Sequence, residues 1–160
     1  MNKFALTAIL ASAAALAACS GKAQNETAEA ANAAVAAYQP SNNRSQWVQR
    51  GTNAVILDAY NANPSSMQAA LESFVALPAA RKVVILGDMR ELGDYAADEH
   101  RHLGELVARG NFDTVIFNGE LMQHALAANP RAYYFPDKFS LHNWLADHPF
   151  ANAHILIKGS

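Results

Sequence analysis

Ala54-Val55-Ile56-Leu57-Asp58-Ala59-Tyr60-Asn61-Ala62-Asn63-Pro64 joins a short apolar run to a turn carrying one acid and two amides, ahead of an Ala-rich helical pattern. The apolar run has the length and β-branched content of a buried strand, and Pro64 suits the first turn of a helix. In open α/β sheets, ligands bind outside the carboxyl ends of the strands, where a helix N-terminus presents unpaired N–H groups. The turn from Asp58 to Pro64 is therefore a candidate site by position alone.

Working outward, the same alternation repeats. Runs at 54–57, 83–86, 114–117, 132–135 and 154–157 read as strands, and segments 66–76, 96–109, 121–127 and 141–146 carry apolar residues at helical spacing. Regular β-α alternation predicts an α/β fold with parallel strands and helical crossovers. The chain stops at Lys158-Gly159-Ser160, directly after the last expected strand, so one sheet face is expected to be partly uncovered. Before the first strand, the turn formers from Tyr38 to Gln46 read as a loop.

The 160 residues suit one globular domain plus a modest tail. Charge is close to balanced, 12 Lys+Arg against 14 Asp+Glu, without a basic cluster, which argues against nucleic-acid binding. The single cysteine, Cys19, rules out an intramolecular disulfide and a cysteine-based zinc site, and no metal site is assigned.

Cys19 has another reading. Lys3 followed by the apolar stretch 4–18 has the form of an export signal, being shorter than the roughly 20 residues a helix needs to cross a bilayer. Its end, Leu16-Ala17-Ala18-Cys19, resembles the lipobox of bacterial lipoproteins, which implies acylation of the Cys19 thiol. Ser20 lacks the acid associated with inner-membrane retention, so the resemblance implies an outer-membrane lipoprotein anchored in the cell envelope. The chain is divided accordingly into a signal peptide at 1–18, a flexible Ala-rich linker at 19–37 and a folded body at 38–160.

Two turns carry the candidate chemistry. The Asp58 carboxylate could accept hydrogen bonds from ribose hydroxyls, or Asp58 or Asn63 could simply cap the helix near Pro64, worth about 1 kcal/mol. Gly87-Asp88-Met89-Arg90-Glu91-Leu92-Gly93 follows the second strand in the same manner, and alone it reads equally as an ordinary turn.

Four blocks in order then match a family: Asn42-Asn43-Arg44-Ser45-Gln46, the Asp58–Pro64 turn, Leu86 to Gly93 with His100 beyond it, and Ile157-Lys158-Gly159-Ser160. The body resembles the C-terminal domain of the Mur ligases. The likeness is strongest to the MurF type, UDP-N-acetylmuramoyl-tripeptide–D-alanyl-D-alanine ligase. The resemblance implies a Rossmann-like, mostly parallel sheet with helices on both faces. It implies ATP-dependent amide bond formation in peptidoglycan synthesis, in the cytoplasm, with the nucleotide and D-Ala-D-Ala as partners. Arg44, Asp58, Tyr60 and Asn61 would contact the nucleotide, while Asn63, Asp88, Lys158 and Ser160 are candidates for the substrate side.

No residue here is assigned a catalytic role. The 160 residues contain no Gly-rich loop ending in Gly-Lys-Ser/Thr. The triphosphate, its Mg and the UDP-sugar would be held by other ligase domains, and the chain is expected to be inactive alone. The alternative is a lipid-anchored envelope binding module that reuses the fold without catalysis.

Overall fold

The computed structural model of the protein describes residues 45–160; Cys19, Arg44, the leader and the linker lie outside the described residues. Strands β1 (Gln46–Arg50) and β2 (Asn53–Asp58) form an antiparallel hairpin. Its connection passes through Gly51 at φ +58, a left-handed conformation that glycine adopts without a Cβ penalty. Helix α1 (Pro64–Ala76) begins at a capping box, with the Asn63 side chain accepting the Ser66 N–H and the Ser66 hydroxyl accepting the Asn63 N–H. It buries Met67, Leu71 and Phe74, spaced four and three residues apart along one stripe.

Strand β3 (Lys82–Gly87) follows, then a single 3₁₀ turn and helix α2 (Ala96–Arg109). Asp98 and Glu99 in the first turn of α2 and Arg109 in its last complement the helix dipole. Strand β4 (Thr114–Asn118), helix α3 (Gln123–Ala128), strand β5 (Tyr133–Phe135), helix α4 (Lys138–Asp147) and strand β6 (His154–Lys158) follow among the described residues. Each expected strand and helix is present, with ends shifted by a few residues. Among the described residues, no helix is long and apolar enough to cross a membrane.

The strands lie in the order β1-β2-β6-β3-β4-β5, with every pairing parallel except β1 with β2. The path from β2 through β3 and β4 to β5 advances in one direction, so right-handed crossovers put α1, α2 and α3 on one face. The return from β5 to β6 runs backwards and puts α4 on the other. Packing agrees with that topology. Val84, Leu86, Phe117 and Leu156 meet Met67, Leu71, Phe74, Leu103, Val107 and Met122 on the three-helix face. The alternate residues Val83, Ile85, Ile116 and Ile155 meet Leu141, Trp144 and Leu145 of α4. Complete burial of one such aliphatic or aromatic side chain contributes roughly 1.5–3 kcal/mol.

Of the segment expected as a loop from Tyr38 to Gln46, only Ser45 and Gln46 lie among the described residues, and Gln46 begins β1. Gln46-Trp47-Val48-Gln49-Arg50 holds only two apolar residues and lies at the edge of the sheet, so pairing with β2 rather than burial makes it a strand. The second face carries α4 alone among the described residues, and Leu57 and Ile157 on it are half-buried.

Candidate functional site

Parallel register places Asp58, the last residue of β2, directly beside Lys158, the last residue of β6. Both side chains point to the three-helix face, because each shares its parity with Ile56 and Leu156. The Lys158 ammonium lies 2.6 Å from Asp58 Oδ2 and also donates to the Asn61 carbonyl at 3.3 Å. Its side chain is 2% exposed and that of Asp58 is 20% exposed. A lysine is stable at this depth because its charge is paired and its N–H groups find oxygen acceptors. Asp58 Oδ1 accepts the Ser45 N–H at 3.1 Å, and the open edge of the carboxylate retains acceptor capacity.

A second set of hydrogen bonds knits the neighbouring turns. The Ala62 N–H is shared between Asn61 Oδ1 at 2.9 Å and Ser160 Oγ at 2.8 Å. The Ser160 N–H donates to the Asp88 carbonyl at 3.1 Å, and Asp88 Oδ1 accepts the Met122 N–H at 3.2 Å. Such close meeting of turns demands glycine. A Cβ on Gly159 would stand 2.9 Å from Gly87 Cα, and one on Gly119, at φ +127, would stand 2.3 Å from the Asp88 carboxylate. Nearby, burial pushes the Tyr134 hydroxyl's pKa up, with the Asp88 and Glu120 carboxylates adding to the effect.

The structure thus brings Asp58, Asn61, Lys158 and Ser160 into one network and ties Asp88 to it through Ser160. Asn63 is the N-cap of α1, the structural alternative left open by its sequence. Tyr60 is 60% exposed on the same turn. The network also uses Ser45, Ala62, Met122 and Gly119, which sequence reasoning missed. Asn118-Gly119 after an apolar run was the available signal for Gly119, since it marks a third strand-end turn. Ser45, Ala62 and Met122 act through main-chain N–H groups, which leave no side-chain signature.

Below Asp58, a cleft of about 430 Å³ opens between the β1–β2 hairpin and α1, lined by Trp47, Ile56, Ala70, Phe74 and Leu77 among others. Among the described residues, no three His, Cys, Asp or Glu side chains group closely enough to hold a metal ion.

A mostly parallel six-stranded sheet with helices on both faces defines an α/β domain of the Rossmann-like kind. The particular family follows from the sequence, for residues 43–160 match the family described as Mur ligase, glutamate ligase domain, and the chain belongs to it. It is 37% identical over 97 residues to the UDP-N-acetylmuramoyl-tripeptide–D-alanyl-D-alanine ligase of Mycobacterium bovis, covering 57% of this chain and 19% of that enzyme. The crystal structure of MurF from Acinetobacter baumannii superposes with a TM-score of 0.66 at 29% identity, over 78% of this chain and 28% of that one. MurF from Thermotoga maritima in complex with ADP has the same fold, with a TM-score of 0.63 at 21% identity, over 78% of this chain and 29% of that one. The chain therefore spans less than a third of the length of these relatives.

Proposed function

We propose that the folded body is the C-terminal module of a MurF-type ligase and supplies the ribose-facing edge of an ATP site, with amide bond formation completed by domains held elsewhere. The observation that carries this reading is the Asp58–Lys158–Asn61–Ser160 network at the carboxyl edge of the sheet. A partly exposed carboxylate with spare acceptor capacity suits sugar hydroxyls. The lone ammonium of the network is already engaged by Asp58 and Asn61, so these residues fit the sugar of a nucleotide better than its triphosphate. Magnesium and the phosphates would then be held by the complementing domains, which fits the share of the relatives' length covered here. Arg44, from the segment preceding β1, is proposed to add a guanidinium to the nucleotide. Tyr60 and Asn61 would border it, and Asn63, Asp88 and Ser160 would lie toward D-Ala-D-Ala, while the buried Lys158 acts on the substrate side only by holding Asp58 and the Asn61 turn.

Calorimetric titration of the full chain with ATP tests the reading. Saturable heat is expected, weakened in an Asp58→Asn variant whose thermal transition is still cooperative. Absence of saturable binding at millimolar ATP would overturn it.

The lipobox-like Leu16–Cys19 supports a second reading, in which acylated Cys19 anchors the chain to the cell envelope as a binding module. Labelled palmitate is expected to enter the wild-type chain and not Cys19→Ala. Equal labelling of the two removes the proposal.

A further inference from the structure

His100 is wholly buried in α2, and both of its ring nitrogens are engaged by main-chain groups. Nε2 lies 3.0 Å from the Met89 nitrogen, whose N–H can only donate, so Nε2 carries no proton. The proton of the neutral ring is therefore on Nδ1, where it is donated to the Ala96 carbonyl at 2.6 Å. One tautomer satisfies both contacts. The ring thus joins the first residue of α2 to the loop between β3 and α2, in which Glu91 at φ +64 and Gly93 at φ +55 adopt left-handed conformations.

Met89 directly follows Asp88, and Asp88 holds the turns after β6 and β4 through the Ser160 and Met122 N–H groups. Ser160 in turn holds Ala62. A path of hydrogen bonds joined through the Asp88–Met89 peptide link therefore leads from the core face of α2 to the turn that follows Asp58. We propose that His100 is the positioning residue of this edge: its neutral ring fixes the Met89 main chain and, through Asp88, sets Ser160 and the Asn61-Ala62 turn. Any consequence for nucleotide contact rests on the function proposed above.

Amide hydrogen exchange on the full chain, read by NMR for wild type, His100→Leu and His100→Gln, tests this. In His100→Leu the Met89, Met122 and Ser160 amides are expected to exchange about tenfold faster or more, with Val84 and Ile116 in the central strands unchanged. The Gln side chain offers an acceptor near the position of Nε2, so His100→Gln should restore most of the protection. If only Met89 accelerates, or if Gln protects no better than Leu, the proposal fails. Should His100→Leu not fold, His100→Gln decides alone: protection close to wild type at the three amides supports the proposal, and uniform acceleration across the sheet overturns it. The nitrogen spectrum of the wild-type ring gives an independent reading, since a proton on Nε2 is incompatible with the proposal. Wild-type protein that fails to bind ATP yet shows selective, Gln-rescued exchange would overturn the nucleotide reading and leave the positioning role standing.

Discussion

Asp58 and Lys158 end adjacent parallel strands a hundred residues apart in sequence, and their side chains meet at 2.6 Å with the ammonium almost sealed from water. Breaking a buried pair strands the remaining charge, at a cost of about 3–5 kcal/mol when both partners are fully buried. Water reaches Asp58, so Lys158→Met is expected to cost somewhat less, about 2–3 kcal/mol. The double variant Asp58→Asn/Lys158→Met should lose clearly less than the sum of the two single changes. Urea denaturation measures all three, and additive losses would show that the pair does not couple.

Gly104 and Gly51 give opposed expectations for the same substitution. Alanine in a helix interior is ordinarily better than glycine by about 1 kcal/mol. At Gly104, however, the new Cβ would lie 2.3 Å from the Ala125 carbonyl oxygen, and main chain cannot yield as a side-chain tip can. Gly104→Ala should therefore destabilise by roughly 2–4 kcal/mol, chiefly through separation of α2 from α3. At Gly51 nothing lies within 4 Å, and only the left-handed backbone opposes alanine, at about 1–2 kcal/mol. Thermal melts that rank the two variants the other way would contradict the packing described.

Asp137 caps α4 and gives it a pH dependence. The Ser140 N–H and then the Ser140 hydroxyl hold its carboxyl below the usual range, with the Phe139 N–H adding to them against slight desolvation. A carboxylate with a lowered folded-state pKa stabilises above its unfolded value, about 3.9, and that contribution disappears as pH falls through the folded value. Protection of the first α4 amides should decline in acid below about pH 4. In Asp137→Asn it should be nearly flat over the same range. An unchanged decline in that variant would assign the effect to another acid.

Asn63 separates capping from ligand contact. Asn63→Ala removes the acceptor for the Ser66 N–H and should lower stability by about 1 kcal/mol. If capping is its only role, D-Ala-D-Ala affinity in a parallel titration of the full chain stays at the wild-type value. A loss of affinity exceeding the loss of stability would give Asn63 a ligand.

The elements read most reliably from sequence were those that combine burial with period. Val83 to Leu86 read as a strand from its uninterrupted apolar, β-branched run, and the turn from Asp58 to Pro64 carried candidate caps and a proline. Strand β1 escaped because Trp47 is largely exposed and edge pairing leaves little hydrophobic pattern. Within the site, Asp58 and Asn61 were visible as polar residues on a strand-end turn. Their closure on Lys158 and Ser160 was not derivable from spacing, because it depends on β6 inserting between β2 and β3. Main-chain donors such as the Ser45 and Met122 N–H groups leave no mark in side-chain chemistry.

The position of β6 also constrains the order of events during synthesis. Strands β1 and β2 form one ladder, and β3, β4 and β5 another, but no native ladder joins the two groups without residues 154–158. During synthesis β2 and β3 therefore cannot be joined in the native order until residues 154–158 have left the ribosome. Lys158 belongs to that strand, so the Asp58 carboxylate has no native cation before β6 is in place.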